Sequence, residues 1–242
     1  MNVPWPGIGA FLFDLDGVLT PTAEIHRRAW ADTIGSFFAA QGVDRPYNED
    51  DYFQYIDGKP RFDGVVSVLE SRGLRLPFGS VSDPPGSGSV GALGNQKNAQ
   101  FARLLAADGV APYPGTVAVL ETLARAGKRL AVVSSSKNAR SVLAAAHLVD
   151  YFALVVDGEL AAKEHLAGKP SPETYLYAAR VLGCAAQDCA VIEDAISGVQ
   201  AARAGAFGLV VGVDRGVGRE ALTAAGASLV IDSLTDLVAA AS

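Results

Sequence analysis

Short runs of hydrophobic residues alternate with amphipathic stretches from residue 110 onward. Apolar runs of this length, rich in Val, Ile and Leu, are typical of strands buried on both faces, and the longer stretches have the period of helices. Strands are predicted at 10–13, 129–133, 152–156, 190–192, 208–211 and 228–231, and helices at 117–125, 139–146, 172–182 and 196–204. This alternation predicts an α/β domain in which helices cover both faces of a mostly parallel sheet.

The segment between the first predicted strand and residue 110 breaks this alternation. It contains helical patterns at 22–40, 63–71 and 98–107, but no convincing strand. We therefore predict a helical domain of residues 22–107, inserted after the first strand of an α/β domain that consists of residues 1–21 and 108–242. Active sites of open α/β sheets lie beyond the carboxyl ends of the strands, so an insertion at this point would cover the site.

Residues 79–95 are rich in Gly, Ser and Pro, which predicts a flexible loop. Gly86, Gly88 and Gly91 match the spacing of the dinucleotide-binding fingerprint G-x-G-x-x-G. Pro84 precedes them, however, where that fingerprint requires a strand. The match therefore gives only weak support to a nucleotide-binding oxidoreductase.

The composition narrows the class of protein. Twenty Lys and Arg residues against 26 Asp and Glu residues give a net charge of −6, which disfavours a binder of nucleic acid or of anionic membranes. The chain has two cysteines, its first residues lack a secretory-signal pattern, and no apolar run approaches the roughly 20 residues of a membrane span. We expect a cytoplasmic monomer with no nucleic-acid or membrane partner.

Pairs of carboxylates follow the first and the fourth predicted strands. Asp14 and Asp16 come after the first strand, and Gly17 permits a sharp turn behind them. Glu193 and Asp194 come after the fourth strand. Neighbouring carboxylates repel each other unless a cation compensates them, and hard oxygen ligands suit Mg²⁺. Taken singly, each pair could instead be a polar turn or a helix cap.

Groups that can bind an anion follow the second predicted strand and precede a later helix. Ser134 begins a run of hydroxyl, ammonium and amide side chains, and Lys169 stands just before the helix 172–182. Capping by Ser136 or Asn138 would also explain the run, and a lone Lys is usually a solvated charge. Together the strand ends offer a carboxylate nucleophile, an acid–base group, phosphate-binding donors and a metal site, which suit phosphoryl transfer.

In order and spacing these motifs resemble those of the haloacid dehalogenase (HAD) superfamily of phosphotransferases. The resemblance covers nearly the whole chain through DLDGVLT, VVSSS, the Lys of GKPSPE and the ED of VIEDAISG. It implies a Rossmann-like core with a helical cap, in which Asp14 attacks phosphorus to form an aspartyl-phosphate and Asp16 is the general acid and base. Ser134 and Lys169 would bind the transferring phosphate. The implied Mg²⁺ ligands are Asp14, Asp16 through its carbonyl, Glu193 and Asp194.

Finer features resemble the β-phosphoglucomutase-like subgroup of that superfamily. The motif TAEIHRRAW at 22–30 resembles the first cap helix of that subgroup, and GKPR at 58–61 resembles a cap loop that contacts the sugar phosphate. The pair KN at 97–98 resembles a Lys-Asn pair of the cap, and SKN at 136–138 resembles a loop of the core. The substrate-binding residues implied by this resemblance are Thr22, His26, Gly58, Lys59, Arg61, Lys97, Ser135, Ser136, Lys137 and Asn138. Pro21, Lys59 and Pro60 depart from the subgroup's pattern, which leaves the substrate open.

The resemblance implies a Mg²⁺-dependent mutase that converts β-glucose 1-phosphate to glucose 6-phosphate through a bisphosphate intermediate. A sugar-phosphate phosphatase, with the same core and freer access of water, is the alternative. A non-catalytic sugar-phosphate sensor is less favoured, because a binding protein has no need of a nucleophile such as Asp14.

Overall fold

The computed structural model describes residues 5–239, which divide into two compact units. The first unit comprises the chain through Pro21 and from Val110 onward, and the second is Thr22–Gly109. The sequence placed the second boundary two residues earlier, at 107/108. The last helix of the second unit runs to Asp108, and Gly109, with φ of 69°, ends it.

The first unit is built on a six-stranded sheet. Its strands are β1 (Ala10–Phe13), β2 (Arg129–Val133), β3 (Leu154–Val156), β4 (Cys189–Glu193), β5 (Leu209–Val213) and β6 (Leu229–Ile231). Their order is β3-β2-β1-β4-β5-β6, and all pairings are parallel. The predicted α/β fold with a mostly parallel sheet is therefore confirmed.

The second unit is helical, in agreement with the sequence pattern. Its helices are α1 (Thr22–Ala40), α2 (Glu49–Asp51), α3 (Arg61–Glu70) and α4 (Val90–Asp108), with a π-helical turn at Tyr52–Ile56. Helix α1 has the predicted bounds. Helix α4 begins at Val90 and not at 98, because the Ser89 hydroxyl accepts a hydrogen bond from the Ala92 amide at 3.0 Å and caps the helix.

An apolar core of its own stabilises the second unit. Its buried members are Trp30, Ile34, Phe37, Phe38, Tyr52, Ile56, Val65, Val68, Leu69, Val90 and Leu93. Trp30, on α1, is 4% exposed. The helices of the second unit therefore pack around a hydrophobic core of their own.

The glycine spacing at 86–91 does not form a dinucleotide site. No strand lies in the second unit over its described residues, all of Thr22–Gly109. Gly91 lies inside α4, and its amide donates to the Phe78 carbonyl at 2.9 Å. The fingerprint needs a strand, a tight turn and then a helix, so the interpretation as a nucleotide-binding oxidoreductase is wrong.

The first unit has helices between its strands and one helix after β6. They are α5 (Thr116–Arg125), α6 (Ala139–Ala145), α7 (Gly158–Lys163), α8 (Glu173–Val181), α9 (Ile196–Ala204), α10 (Arg219–Ala225) and α11 (Leu234–Ala239). The helical pattern predicted the positions of α5, α6, α8 and α9, and it did not predict α7, α10 and α11. Over residues 5–239, no helix combines the length and hydrophobicity of a transmembrane span.

The sheet order brings the chemistry-bearing loops to one edge. Strand β1 lies between β2 and β4, and Phe13 is in register with Val132 on one side and with Ile192 on the other. Leu12, from the middle of β1, is fully buried in a core cluster that includes Tyr175 of α8. Because these strands are parallel, the residues that follow them meet at the carboxyl edge of the sheet.

Candidate active site

Lys169 lies among the predicted site residues of the first unit. Its Nζ donates to Asp14 Oδ1 at 2.6 Å and to the Val133 carbonyl at 3.2 Å, and it contacts Oε1 of Glu193. The side chain is 2% exposed. An ammonium group this deeply buried requires charged partners, so the alternative that Lys169 is a solvated charge is wrong.

Burial and neighbouring charges shift both partners of the Asp14–Lys169 pair. Burial raises the pKa of the Asp14 carboxyl to about 8; the Lys169 ammonium opposes the rise, and the charges of Glu193 and Asp16 add to it. Burial alone lowers the pKa of Lys169, but Asp14 and Glu193 outweigh it and keep that pKa well above its ordinary value. Lys169 is therefore a permanent cation in a site with an excess of carboxylates, which favours a further cation.

Asp14 is suited to act as a nucleophile. It follows β1 directly, its amide donates to the Ile192 carbonyl at 2.9 Å, and its side chain is 10% exposed. Oδ1 is held by Lys169, whereas Oδ2 accepts no hydrogen bond within residues 5–239. One oxygen is thus fixed and the other is available for chemistry.

Glu193 binds protein donors with both of its oxygens. Oε1 accepts from the Tyr175 hydroxyl at 3.0 Å and contacts Lys169, and Oε2 accepts from the amides of Asp194 and Ala195, each at 3.0 Å. The carboxylate is completely buried. Its lone pairs are directed at four protein donors, and the role of Glu193 as a direct metal ligand stays a prediction. Glu193 positions Lys169 and the turn after β4.

Asp194 packs against the turn that carries Asp16. Gly17 has a φ of 87°, and a Cβ at that position would lie 1.8 Å from Oδ2 of Asp194. Glycine is therefore required both for the turn and for the approach of the carboxylate. The Gly17 carbonyl also accepts a hydrogen bond from Nε of Arg215 at 2.8 Å. The backbone that follows Asp16 is held by both contacts.

The donor set fits Mg²⁺. No three His, Cys, Asp or Glu side chains within residues 5–239 form a metal site by themselves. Mg²⁺ is commonly bound by one or two carboxylates and completes its coordination with phosphate oxygens and water. Asp14, Asp194 and the backbone carbonyl of Asp16 would provide such a set, in which Asp14 Oδ2 is the available oxygen.

Ser134, in the motif VVSSS, lies beside Asp16, in the motif DLDGVLT. It follows β2, is 5% exposed, and its hydroxyl lies 3.5 Å from Oδ2 of Asp16. Ser134 Oγ accepts from the Ser136 amide and Ser136 Oγ from the Asn138 amide, both at 3.1 Å. These turns shape the loop before α6. The Asn138 side chain does not cap that helix.

His26 and Lys97, which the sequence assigned to substrate binding, meet in the second unit. Nζ of Lys97 contacts Nδ1 of His26, and Lys97 is 3% exposed. The His26 ring stacks on Phe101 with centroids 4.0 Å apart, and Nζ of Lys97 lies 5.2 Å from the centroid of Trp30. At this degree of burial Lys97 is not a solvated surface charge.

Arg61 has no acidic partner among the residues that the structure describes. Its Nη1 donates to Asn95 Oδ1 at 3.1 Å and to the Gly94 carbonyl at 3.5 Å, and it forms no ion pair with any Asp or Glu that the structure describes. Burial lowers the pKa of its guanidinium. A half-buried cation with only neutral acceptors is suited to bind an anion.

The remaining predicted binding residues differ in their surroundings. Gly58 turns the chain before α3 with φ of 70°, while Nζ of Lys59 donates to the Ser67 hydroxyl at 2.9 Å. Thr22 is buried at the first position of α1. Ser135 and Lys137 lie in the loop after β2, where a Cβ on Gly158 would come within 2.8 Å of the Ser135 carbonyl.

Three residues that the sequence did not single out belong to these networks. Tyr175 donates to Glu193, and Nζ of Lys169 lies 5.1 Å from its ring centroid. Arg215 binds the Gly17 carbonyl, and Asn95 binds Arg61. Helical periodicity predicts that Tyr175 is buried, but nothing in the sequence indicates which charged group it meets.

A parallel sheet with a buried lysine and paired carboxylates beyond its central strands defines an α/β enzyme of phosphoryl transfer. The family model of haloacid dehalogenase-like hydrolases matches residues 8–205. The chain therefore belongs to the haloacid dehalogenase-like hydrolase family.

Three known proteins illustrate the similarity. A protein named beta-phosphoglucomutase from Mycobacterium bovis is 43% identical over 241 residues, which cover 96% of this chain and 92% of that protein. The structure of beta-phosphoglucomutase from Clostridium difficile has a TM-score of 0.74 at 28% identity, covering 95% and 93% of the two chains. A variant of CbbY from Rhodobacter sphaeroides, solved in complex with xylulose-(1,5)bisphosphate, has a TM-score of 0.73 at 27% identity, covering 95% and 96%. With the family, these relatives make the chain a phosphomutase or a phosphatase.

Proposed function

We propose that this protein is a Mg²⁺-dependent β-phosphoglucomutase that works through an aspartyl-phosphate on Asp14. The proposal rests on the different hydrogen bonding of the two oxygens of that carboxylate. Lys169 holds Oδ1 at 2.6 Å, while no hydrogen bond from the described residues reaches Oδ2. A nucleophile needs one fixed and one reactive oxygen.

In one half-reaction, Oδ2 of Asp14 attacks one phosphorus of a sugar bisphosphate, so the leaving group is a sugar monophosphate. The bond from phosphorus to the Asp14 oxygen forms, the bond to the sugar oxygen breaks, and the Asp16 carboxyl gives its proton to that leaving oxygen. Ser134 and Lys169 bind the transferring phosphoryl oxygens. In the other half-reaction, Asp16 takes the proton from a hydroxyl of a sugar monophosphate. That oxygen attacks the phosphorus on Asp14, the bond to Asp14 breaks, and the sugar bisphosphate forms.

The cation contributes charge compensation. When bound to Asp14, Asp194 and the Asp16 carbonyl, Mg²⁺ would neutralise charge on the transferring group and favour the ionised form of Asp14. Glu193 acts indirectly in this scheme, because it holds Lys169 and the turn that carries Asp194.

We propose that the helical insertion is the cap and that Arg61 binds the phosphate that is not transferred. Its guanidinium is half-buried and lacks an acidic partner within the described residues, so a phosphate would supply the missing counter-charge. A mutase needs such a group, because its bisphosphate intermediate must bind with either phosphate at Asp14. The names of the Mycobacterium bovis and Clostridium difficile relatives support the same activity.

Product analysis by ³¹P NMR tests this proposal. The enzyme is given β-glucose 1-phosphate, Mg²⁺ and a trace of glucose 1,6-bisphosphate. We expect glucose 6-phosphate as the main product and little inorganic phosphate. Release of inorganic phosphate without glucose 6-phosphate would contradict the mutase.

A sugar-phosphate phosphatase is the second candidate. The description of the matched family as hydrolases favours it, and a CbbY relative binds a bisphosphate of a five-carbon sugar. The same Asp14 chemistry serves both activities, and they differ in whether water or a sugar hydroxyl takes the phosphoryl group. The product ratio in the NMR experiment separates them.

A further inference from the structure

The segment 79–89 is an ordered loop fastened to the start of α4. Oδ2 of Asp83 accepts from the Ser80 amide at 3.1 Å and from the Ser89 hydroxyl at 2.5 Å. A Cβ on Gly79 would lie 2.2 Å from the same Asp83 oxygen, and the φ of Gly79 is 68°. Glycine is therefore needed there for the loop to close on Asp83.

Asn95 connects this loop to Arg61. Its Nδ2 donates to the carbonyls of Val81 at 3.0 Å and Asp83 at 2.8 Å. Because carbonyls can only accept, these two bonds fix which end of the amide is the nitrogen. Oδ1 must then face Arg61, whose Nη1 donates to it at 3.1 Å. The loop thus sets the orientation of the acceptor that Arg61 meets.

The Asn95 contact matters because Arg61 has few other partners. Within residues 5–239, the other acceptor of its guanidinium is the Gly94 carbonyl at 3.5 Å. A guanidinium recognises phosphate through two parallel hydrogen bonds, which depend on the direction of its plane. A long side chain without fixed partners must be ordered on binding, and this weakens the contact.

We propose that Asn95 is a positioning residue for Arg61 and that the loop 79–89 is a specificity element acting through it. Asn95 orients the guanidinium before a sugar bisphosphate binds, so the second phosphate is recognised at a defined distance from the first. Six-carbon and five-carbon bisphosphates differ in this distance, and the contact favours the six-carbon glucose 1,6-bisphosphate. The inference rests on the proposed function, because it takes the non-transferring phosphate as the ligand of Arg61.

Asn95→Ala tests the positioning role by kinetics. We expect kcat/KM for glucose 1,6-bisphosphate to fall roughly 3- to 10-fold, mainly through KM, which is the size of one lost hydrogen bond. The preference for that compound over xylulose 1,5-bisphosphate should narrow. Hydrolysis of a small aryl phosphate, which has no second phosphate, should be unchanged. Equal losses in both reactions would overturn the inference.

A double-mutant cycle separates positioning from a structural role. In the Arg61→Ala background, Asn95→Ala should cause no further loss, because it acts only through Arg61. Additive losses would contradict the inference. Ser87→Ala is the matched control, since Ser87 is exposed in the same loop and its side chain forms no hydrogen bond within residues 5–239. It should leave every parameter unchanged.

A measurement without substrate distinguishes this inference from the proposed function. Guanidinium NMR reports rotation about the Nε–Cζ bond of Arg61, which should be slow in the wild type. It should become faster in Asn95→Ala and in Asp83→Ala, the variant that removes the anchor of the loop, at a temperature at which circular dichroism shows both variants to be folded. Unaltered Arg61 rotation in Asn95→Ala would overturn the inference. A further outcome is that Arg61 rotation differs in this way between the wild type and the variants while the wild type lacks mutase activity. That result would support the positioning role and refute only the proposed function.

Discussion

The ammonium nitrogen of Lys169 lies 2.6 Å from Oδ1 of Asp14, at the carboxyl end of the central strand β1. The same nitrogen contacts Glu193, so one buried cation serves two buried carboxylates. The pair fixes the direction of the Asp14 side chain, and it also makes the folding of the first unit depend on the charge of its active site.

Lys169→Met should destabilise the protein substantially. It leaves Asp14 and Glu193 buried without their cation, and breaking a buried ion pair costs about 3–5 kcal/mol. Urea unfolding measures the difference in the free energy of unfolding. Lys163→Met, at an exposed position of α7, is the control and should change stability little. A Lys169 variant as stable as the control would contradict this role.

Substitutions of Asp194 and of Glu193 should affect the Mg²⁺ requirement differently. Chelation by EDTA should abolish turnover and Mg²⁺ should restore it. Asp194→Asn should raise the Mg²⁺ concentration for half-maximal activity about 10- to 100-fold, as expected for a ligand or its support. Glu193→Gln should mainly lower the free energy of unfolding, because the oxygens of Glu193 bind Lys169, Tyr175 and two amides. Its effect on the Mg²⁺ concentration for half-maximal activity should be smaller than that of Asp194→Asn. Full activity in excess EDTA would refute the metal requirement.

Arg61→Ala should separate mutase from hydrolytic activity. Loss of a charge-assisted contact of about 1.5–3 kcal/mol predicts a 10- to 150-fold lower mutase rate, if the contact is fully present in the transition state. Hydrolysis of a small aryl phosphate should change little, since that substrate has no second phosphate. Parallel assays of both reactions measure this, and an equal loss in the two would argue for a structural role of Arg61.

The second unit should lose stability in acid through Asp51. Burial by itself raises the pKa of Asp51, but hydrogen bonds from Arg72 and the Asn48 amide outweigh it and lower that pKa below its ordinary value. A lowered pKa stabilises the fold above the ordinary value near 3.9, and the contribution disappears as pH falls through the folded pKa. Urea unfolding at about pH 7 should show a large loss in Asp51→Asn, and the loss should shrink at about pH 3.

Asp50→Asn is the control for this experiment, since Asp50 is the exposed neighbour of Asp51 on α2. It should have little effect at either pH. A loss in Asp51→Asn that does not depend on pH would show that the ion pair with Arg72, at 2.5 Å, contributes through packing alone.

Periodicity predicted the fold because the local pattern and the tertiary structure agree. The bounds of α1, β2 and α9 match their predictions, since each is a continuous apolar or amphipathic run. The start of α4 was missed because Gly91 and Gly94 disfavour a helix by propensity, while the Ser89 cap and tertiary packing override them.

The site could be predicted only in part. The sequence indicated the residues at the strand ends, because parallel strands bring their carboxyl ends together. It did not show that the lone pairs of Glu193 are taken by protein donors, or that Asn95 reaches Arg61 across 34 positions. Such contacts depend on side-chain directions that no spacing encodes.

The covalent intermediate is the most direct test of the account. An aspartyl-phosphate is reduced by borohydride to homoserine, so the enzyme is mixed with glucose 1,6-bisphosphate, quenched, reduced and analysed by peptide mass spectrometry. We predict homoserine at position 14 in the wild type and none in Asp14→Asn, which should fold but not turn over. Turnover without any modification, or a modification at another residue, would contradict the account.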